Sequence, residues 1–265
     1  MTTVPICVVD AFTDKPFTGN PAAVCVLEKW RDDKWLQNVA AEMNLSETAF
    51  LVRKGDTVYH LRWFTPNKEV DLCGHATLAS AHLLWETGAV ISGSKILFDT
   101  KSGRLTAHFS GGGISLDFPS ISSVSADPPQ ELIESLGMNP FAVMKAGPDY
   151  LVEVSSADDV RELTPDFAYM RQVDMRAVVV TARGDEPGVD FVSRVFAPAL
   201  GIDEDPVTGS THCALGPYWV RKLKKSIFTA RQLSKRGGSL EVAVKGDRVT
   251  LTGKAVTVWT GELID

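Results

Sequence analysis

Two stretches of the chain carry the same succession of apolar and polar positions. In the first, Arg62-Trp63-Phe64-Thr65-Pro66 leads into an acidic stretch, a glycine at Gly74, and a run of small and apolar residues from Ala76 to Leu84. In the second, Arg194-Val195-Phe196-Ala197-Pro198 leads into Asp203-Glu204-Asp205, a glycine at Gly209, and another small-residue run through Ala214 and Leu215. Farther on, Lys101-Ser102-Gly103-Arg104-Leu105-Thr106 is echoed by Lys245-Gly246-Asp247-Arg248-Val249-Thr250. Each of these places a turn signal before alternating apolar residues, as a β-hairpin requires. Landmarks repeated in one order indicate an internal duplication, which sets the architecture before any motif is interpreted. Each half should run strand, loop, helix, hairpin. Because strands and helices do not alternate strictly, the fold class is α+β with mostly antiparallel sheets.

Outside the repeat, one helix is expected over Lys34 to Met43 and another over Gln130 to Leu136, ending near Gly137. The segment from Phe118 to Pro129 is rich in Ser and Pro and lacks helical periodicity, so it reads as a linker dividing the chain into residues 1–117 and 118–265. Gly111-Gly112-Gly113 lies between two strand-like runs and reads as a hairpin turn. The basic run Arg221 to Lys225 reads as a solvated helix end.

Composition narrows the function classes. At 265 residues the chain can form one large domain or two smaller ones. With 27 basic against 33 acidic residues the formal charge is -6, which argues against nucleic acid as a partner. No apolar run approaches the ~18 residues of a membrane span, and Met1 to Asp10 has no leader-like pattern, so a cytoplasmic protein without a membrane partner is expected. Cys7, Cys25, Cys73 and Cys213 are scattered, without the paired spacings of metal or redox centres. By default they are small buried hydrophobes.

Chemistry is suggested where a glycine opens a helical run, at Gly74-His75-Ala76-Thr77 and at Thr208-Gly209-Ser210-Thr211. Helix N-termini present unpaired N–H groups and a partial positive charge, so each suits an anion such as a carboxylate. The same donors would stabilise charge developing on the acid when a neighbouring C–H is deprotonated, which removes the need for a metal or an organic cofactor. A simple turn before a helix fits each glycine as well. Glu47, in Asn44-Leu45-Ser46-Glu47-Thr48-Ala49-Phe50, joins a helix end to an apolar strand, where poor solvation would suit a carboxyl that accepts and returns a proton. Backbone binding at the junction is the alternative. His75 is expected to be neutral because the positive helix end disfavours its charged form. Asp205 and Ser210, placed in a loop and at the following helix start, would orient a substituent of the bound acid, or merely cap the helix. No G-x-S-x-G elbow, H-E-x-x-H spacing, G-x-G-x-x-G or Walker loop occurs.

These motifs resemble a known family. Asp10-Ala11-Phe12-Thr13, Phe17-Thr18-Gly19-Asn20-Pro21-Ala22-Ala23-Val24, the N-L-S-E-T-A-F run at 44–50, Asp71-Leu72-Cys73-Gly74-His75-Ala76-Thr77 and Asp205-Pro206-Val207-Thr208-Gly209-Ser210 look like the PhzF-like phenazine biosynthesis family. The resemblance implies the diaminopimelate epimerase fold: two similar pseudo-symmetric domains, each a sheet wrapped round a central helix, in a homodimer. It implies a cofactor-independent isomerase acting on a small carboxylic acid held between the halves, with Glu47 shuttling a proton and substrate contacts at Gly74, His75, Asp205, Gly209 and Ser210; His75 and Asp205 are counted with Glu47 as catalytic, and Cys73 with the substrate-binding residues. Related racemases use a cysteine at each helix start. Here Cys73 precedes Gly74 but Thr208 precedes Gly209, and a threonine hydroxyl is too weakly acidic to replace a thiol. An amino-acid racemase or epimerase using Cys73, and a non-catalytic small-acid binder, are the competing readings.

Overall fold

A computed structural model of the chain describes residues 3–110 and 112–264. Residues up to Phe118, with those from Leu251 onward, form one compact unit, and Pro119–Thr250 form a second. The first unit runs through β1 (Thr3–Ala11), β2 (Asn20–Leu27), α1 (Asp33–Met43), β3 (Glu47–Arg53), β4 (Val58–Phe64), β5 (Glu69–Val70), α2 (Gly74–Glu86), β6 (Ile96–Thr100), β7 (Gly103–Ser110) and β8 (Gly113–Pro119). The second contains β9 (Val124–Ser125), α3 (Gln130–Leu136), β10 (Ala142–Ala146), β11 (Asp149–Glu153), α4 (Ala157–Glu162), α5 (Phe167–Met170), β12 (Val178–Arg183) and β13 (Phe191–Ala197). After a 3-10 turn at Pro198–Leu200 come β14 (Ile202–Asp205), α6 (Gly209–Leu223), β15 (Ile227–Gln232), β16 (Gly238–Lys245) and β17 (Arg248–Gly253), and the chain closes with β18 (Ala255–Ile264). Among the described residues no helix is long and apolar enough to cross a membrane.

Strand pairing repeats between the units. β2 lies antiparallel to β1 and parallel to β3, β3 and β4 are antiparallel, and β4 pairs antiparallel with β5 and parallel with β6, which turns back into β7. In the second unit β11 lies antiparallel to β10 and parallel to β12. Then β12 and β13 are antiparallel, and β13 pairs antiparallel with β14 and parallel with β15, which turns back into β16. Each parallel step carries helical crossovers, as parallel pairing requires.

A repeated ion pair explains the Arg-x-Phe landmark. Arg62 on β4 grips Glu69 on β5 through two bonds, Nε to Oε1 at 2.7 Å and Nη2 to Oε2 at 2.9 Å, with its guanidinium 5.1 Å from the Phe64 ring centre. Arg194 grips Glu204 in the same way, at 2.6 and 3.0 Å, and lies 4.9 Å from the Phe196 ring centre. A bidentate fork fixes geometry as well as adding attraction. In both units it pins the short return strand that delivers the chain to the start of the central helix.

The two central helices differ from the peripheral ones. Every residue of α2 except His82 and Glu86 is buried, with α2 packed on β1, β2, β3 and β18. An all-round apolar helix belongs inside a sheet that wraps it. α6 is nearly as enclosed, with Trp219 stacked on Phe191, 5.6 Å between ring centres. By contrast α1 buries one side, through Leu36, Val39 and Ala40 against Phe50 and Phe64, and α3 to α5 cover β10 to β13 through Leu132, Leu136, Val160 and Met170.

Several expectations are refined. The first helix begins one residue earlier, because Asp32 caps it by accepting the Trp35 N–H at 2.8 Å, whereas α3 ends at a left-handed Gly137 as its sequence indicates. The segment after Phe118 is tied down: Ser120 N–H bonds Asp247 O, Ile121 N–H bonds Cys213 O, and β9 pairs with β10. Assigning everything after residue 117 to the second half misplaces the C-terminus. β18 pairs along β1 from Thr3↔Ile264 to Ala11↔Ala255 and so joins the first unit, filling the edge that β2 leaves open. Ser110 pairs with Gly113 and Gly112 has a φ of 81°, as a tight turn needs, while Gly111 lies outside the described residues.

Both central helices bury a histidine. Burial pushes His75 down to about 3 and His212 down to about 4, the latter against a Nδ1 bond to Thr208 O at 2.8 Å that favours its charged form. Each binds its proton more weakly folded than unfolded, so the stability it confers is complete above the ordinary value of 6.5 and is lost as pH falls below it. Between pH 6.5 and 4, urea titrations should show about 1.4 kcal/mol lost per pH unit per histidine. His212→Gln should lessen that slope. A second prediction concerns helix packing: a Cβ at Gly216 would meet Val242 and Val244 methyl carbons at 2.9 Å, so Gly216→Val should cost about 1–3 kcal/mol in the same titration.

Candidate active site

In the first unit the candidate residues converge. Glu47 is the first residue of β3 and pairs with Ala22 of β2, two positions beyond Asn20. Its side chain is 17% exposed, and its Oε2 lies 3.3 Å from Nε2 of His75, the second residue of α2. This contact is loose, since Nε2 makes no well-aligned hydrogen bond, and such contacts tighten when substrate is bound. The other ring nitrogen, Nδ1, faces Asn20 Nδ2 at 3.2 Å and Cys73 Sγ at 3.5 Å. Asn20 is fully buried, and it enters from Gly19, where φ is 68° and an added Cβ would lie 2.2 Å from Ala11 O. Only glycine passes there, and Gly19 thereby sets where Asn20 begins its strand.

The dipole argument for a neutral His75 reaches the right state through a secondary cause, because complete burial is what disfavours its charge. Neutrality matters for Glu47. A buried imidazolium would hold the carboxylate as a permanent ion pair, whereas a neutral ring contacts it without competing for its proton.

In the second unit the equivalent helix start is organised by different groups. Asp205 is the last residue of β14 rather than part of a loop, and the Thr208 hydroxyl donates to its Oδ2. Gln232, fully buried at the end of β15, accepts the Thr208 N–H at 2.9 Å and donates to the Asp205 carbonyl at 2.7 Å. The cap position of α6 belongs to Thr208, not to Asp205. Ser210 is half-buried and stands where His75 stands in the first unit, directly after the opening glycine. Cys213 is buried one turn farther on, its Sγ 3.8 Å from Gly209 O.

The helix starts differ in how they are capped, and α3, which begins after Pro129, has no side-chain cap. The N-terminal side chains of α1, α4 and α5 are Asp32, Ser156 and Asp166, and each accepts a backbone N–H. Cys73 and Thr208, at the corresponding positions of α2 and α6, make no capping bond. Thr208 has a suitable hydroxyl but turns it toward Asp205. The first-turn donors at Gly74 and Gly209 thus receive no acceptor from their own cap residues, which suits an anionic ligand.

Glu47, Cys73 and His75 also bring possible metal donors within 4.8 Å of one another. The set is chemically able to bind zinc. Its arrangement fits a resident ion poorly: Cys73 lies toward Nδ1 and Glu47 toward Nε2, so the two flank opposite nitrogens. With Asn20 donating to Nδ1, a cation at Nε2 would displace the only ring proton.

Of the residues singled out from the sequence, Glu47, Cys73 and His75 lie close together beside Gly74 in the first unit, and Asp205 lies on the strand that precedes Gly209 and Ser210 in the second. Sequence reasoning gave no role to Asn20, although the residue stands in one of the motifs that carry the family resemblance. It also missed Gln232, which has no local signal because strand pairing brings it in from 24 residues beyond Thr208.

With this geometry established, comparisons with known proteins give a consistent answer. Residues 9–261 match the family model for phenazine biosynthesis-like proteins, PhzC-PhzF. An uncharacterized isomerase of Halalkalibacterium halodurans is 55% identical over 265 residues, covering 100% of both chains. The crystal structure of a PhzF family protein from Enterococcus faecalis superposes with a TM-score of 0.94 at 43% identity, covering 99% of this chain and 100% of the other. A probable proline racemase of Agrobacterium radiobacter, at 13% identity and a TM-score of 0.66, shares the fold alone, over 98% of this chain and 93% of the other. The chain therefore has the diaminopimelate epimerase-type α+β fold and belongs to the phenazine biosynthesis-like PhzC-PhzF family.

Proposed function

We propose that this protein is an isomerase that moves a proton on a small carboxylic acid, with Glu47 removing and returning it and with no organic cofactor or metal. The observation that carries the reading is a mostly buried Glu47 beside a neutral His75 at an uncapped helix start. The isomerase name of the relative at 55% identity supports it.

In this reading the first-turn N–H groups at Gly74 receive a substrate carboxylate. As Glu47 draws a proton from a neighbouring carbon, charge builds on the carboxylate oxygens, and the same donors stabilise it without rearranging. Glu47 then returns the proton at a second carbon. His75, uncharged, steadies one oxygen of Glu47 and leaves the carboxyl free to cycle between ionised and protonated forms. In the second unit, Asp205, Gly209 and Ser210 form a further candidate anion-binding helix start. A second reading is favoured by the 3.5 Å approach of Cys73 Sγ to His75 Nδ1, which would let the thiol exchange protons in a racemase or epimerase.

Deuterium uptake from heavy water, read by NMR over a panel of small cyclic and amino acids, separates these readings. The Glu47→Gln variant should fold normally and lose exchange by about a hundredfold or more. Undiminished exchange removes Glu47 from the reaction. Cys73→Ser should keep most of the exchange, and loss in that variant and after thiol alkylation would transfer the role to Cys73. Asp205→Asn tests the second helix start separately, with an expected loss of about tenfold to a hundredfold in kcat/KM.

A further inference from the structure

We infer that Asn20 is a positioning residue that fixes the tautomer of His75, keeping the ring proton on Nε2, the nitrogen facing Glu47. The inference deepens the proposed role of Glu47 by naming what determines the proton arrangement beside it.

The geometry is one-sided. A neutral imidazole carries one N–H and one lone pair, and the partner of one nitrogen decides the state of the other. Asn20 Nδ2 lies 3.2 Å from Nδ1, and an amide –NH2 can only donate. With the Asn20 amide in this orientation, Nδ1 is the acceptor. With the ring fully desolvated and uncharged, its single proton resides on Nε2, 3.3 Å from Glu47 Oε2. The opposite tautomer would set a lone pair against the Glu47 carboxylate and an N–H against the Asn20 –NH2, two repulsive contacts in a site that water cannot relieve.

Asn20 is well placed to impose this choice. It is fully buried, starts β2 opposite Ala11 of β1, and follows a glycine whose backbone no other residue can reproduce without strain. Cys73 Sγ, 3.5 Å from the same Nδ1, is a far weaker donor and leaves the assignment unchanged. Glu47 prefers the same tautomer while ionised but not once protonated, so only a fixed donor on the Nδ1 side can preserve the arrangement through both forms of the carboxyl.

The test needs no substrate. In protein labelled with 15N at histidine, two-bond nitrogen–proton correlations identify the protonated ring nitrogen of His75, assigned by its absence in His75→Gln. The wild type should show the Nε2–H form. Asn20→Asp, nearly isosteric, replaces the donor with an acceptor and should move the proton to Nδ1, with the fold checked by circular dichroism. Glu47→Ala removes the acceptor on the other side and should leave the proton on Nε2. A wild-type Nδ1–H form, a shift of the proton in Glu47→Ala, or an unchanged Nε2–H form in folded Asn20→Asp would each overturn the inference. Should Asn20→Asp fail to fold, the wild-type and Glu47→Ala spectra still decide. Loss of the proposed catalytic role of Glu47 in the exchange assay would leave these spectra unaffected, so the two ideas fail separately.

Discussion

The structure depends on two buried helices that begin without side-chain caps. A helix start exposes backbone N–H groups that must find partners, and leaving one unmatched inside a protein costs on the order of 1–3 kcal/mol. The peripheral helices α1, α4 and α5 meet this requirement locally through Asp32, Ser156 and Asp166. The central helices do not, although Thr208 has the hydroxyl to do so. The surrounding elements keep the two starts in place instead: the Arg62–Glu69 and Arg194–Glu204 forks pin the strands that lead in, and the enclosing sheets bury the remaining turns of each helix. Neither start is capped by its own leading side chain, so its position is set by the elements around it.

How much of this was legible in the sequence depended on how local its cause was. The Arg-x-Phe repeat, the acid after it and the glycine opening each helix lie within about a dozen residues of one another, and they revealed the duplication. Gly137 marked the end of α3 because a left-handed helix cap is a property of one residue. The pairing of β1 with β18 joins opposite ends of the chain, so no linear division of the sequence could place the C-terminus in the first unit. Glu47 was identifiable from its apolar neighbours. Gln232 and the contact of Asn20 with His75 were not, because both arise from strands that become adjacent only on folding. The neutral state of His75 was foreseen from the helix dipole, yet desolvation outweighs a dipole in a fully enclosed ring, and burial could not be read from one position.

Duplication preserves backbone and frees side chains, and the two helix starts show the division. Both present the same glycine, the same uncapped first turn and the same guarding ion pair. The polar groups beside them are unequal: Glu47, Cys73 and His75, with the Asn20 amide, in the first unit, against Thr208 and Asp205, with the Gln232 amide, in the second. A mechanism with matched bases needs similar acidity at both positions, and a threonine hydroxyl differs from a thiol by many orders of magnitude in that respect. At the second start the Thr208 hydroxyl donates to Asp205 and its N–H is held by Gln232. The proposed transfer by a single carboxyl group is compatible with this inequality, because it asks for a base at the first helix start alone.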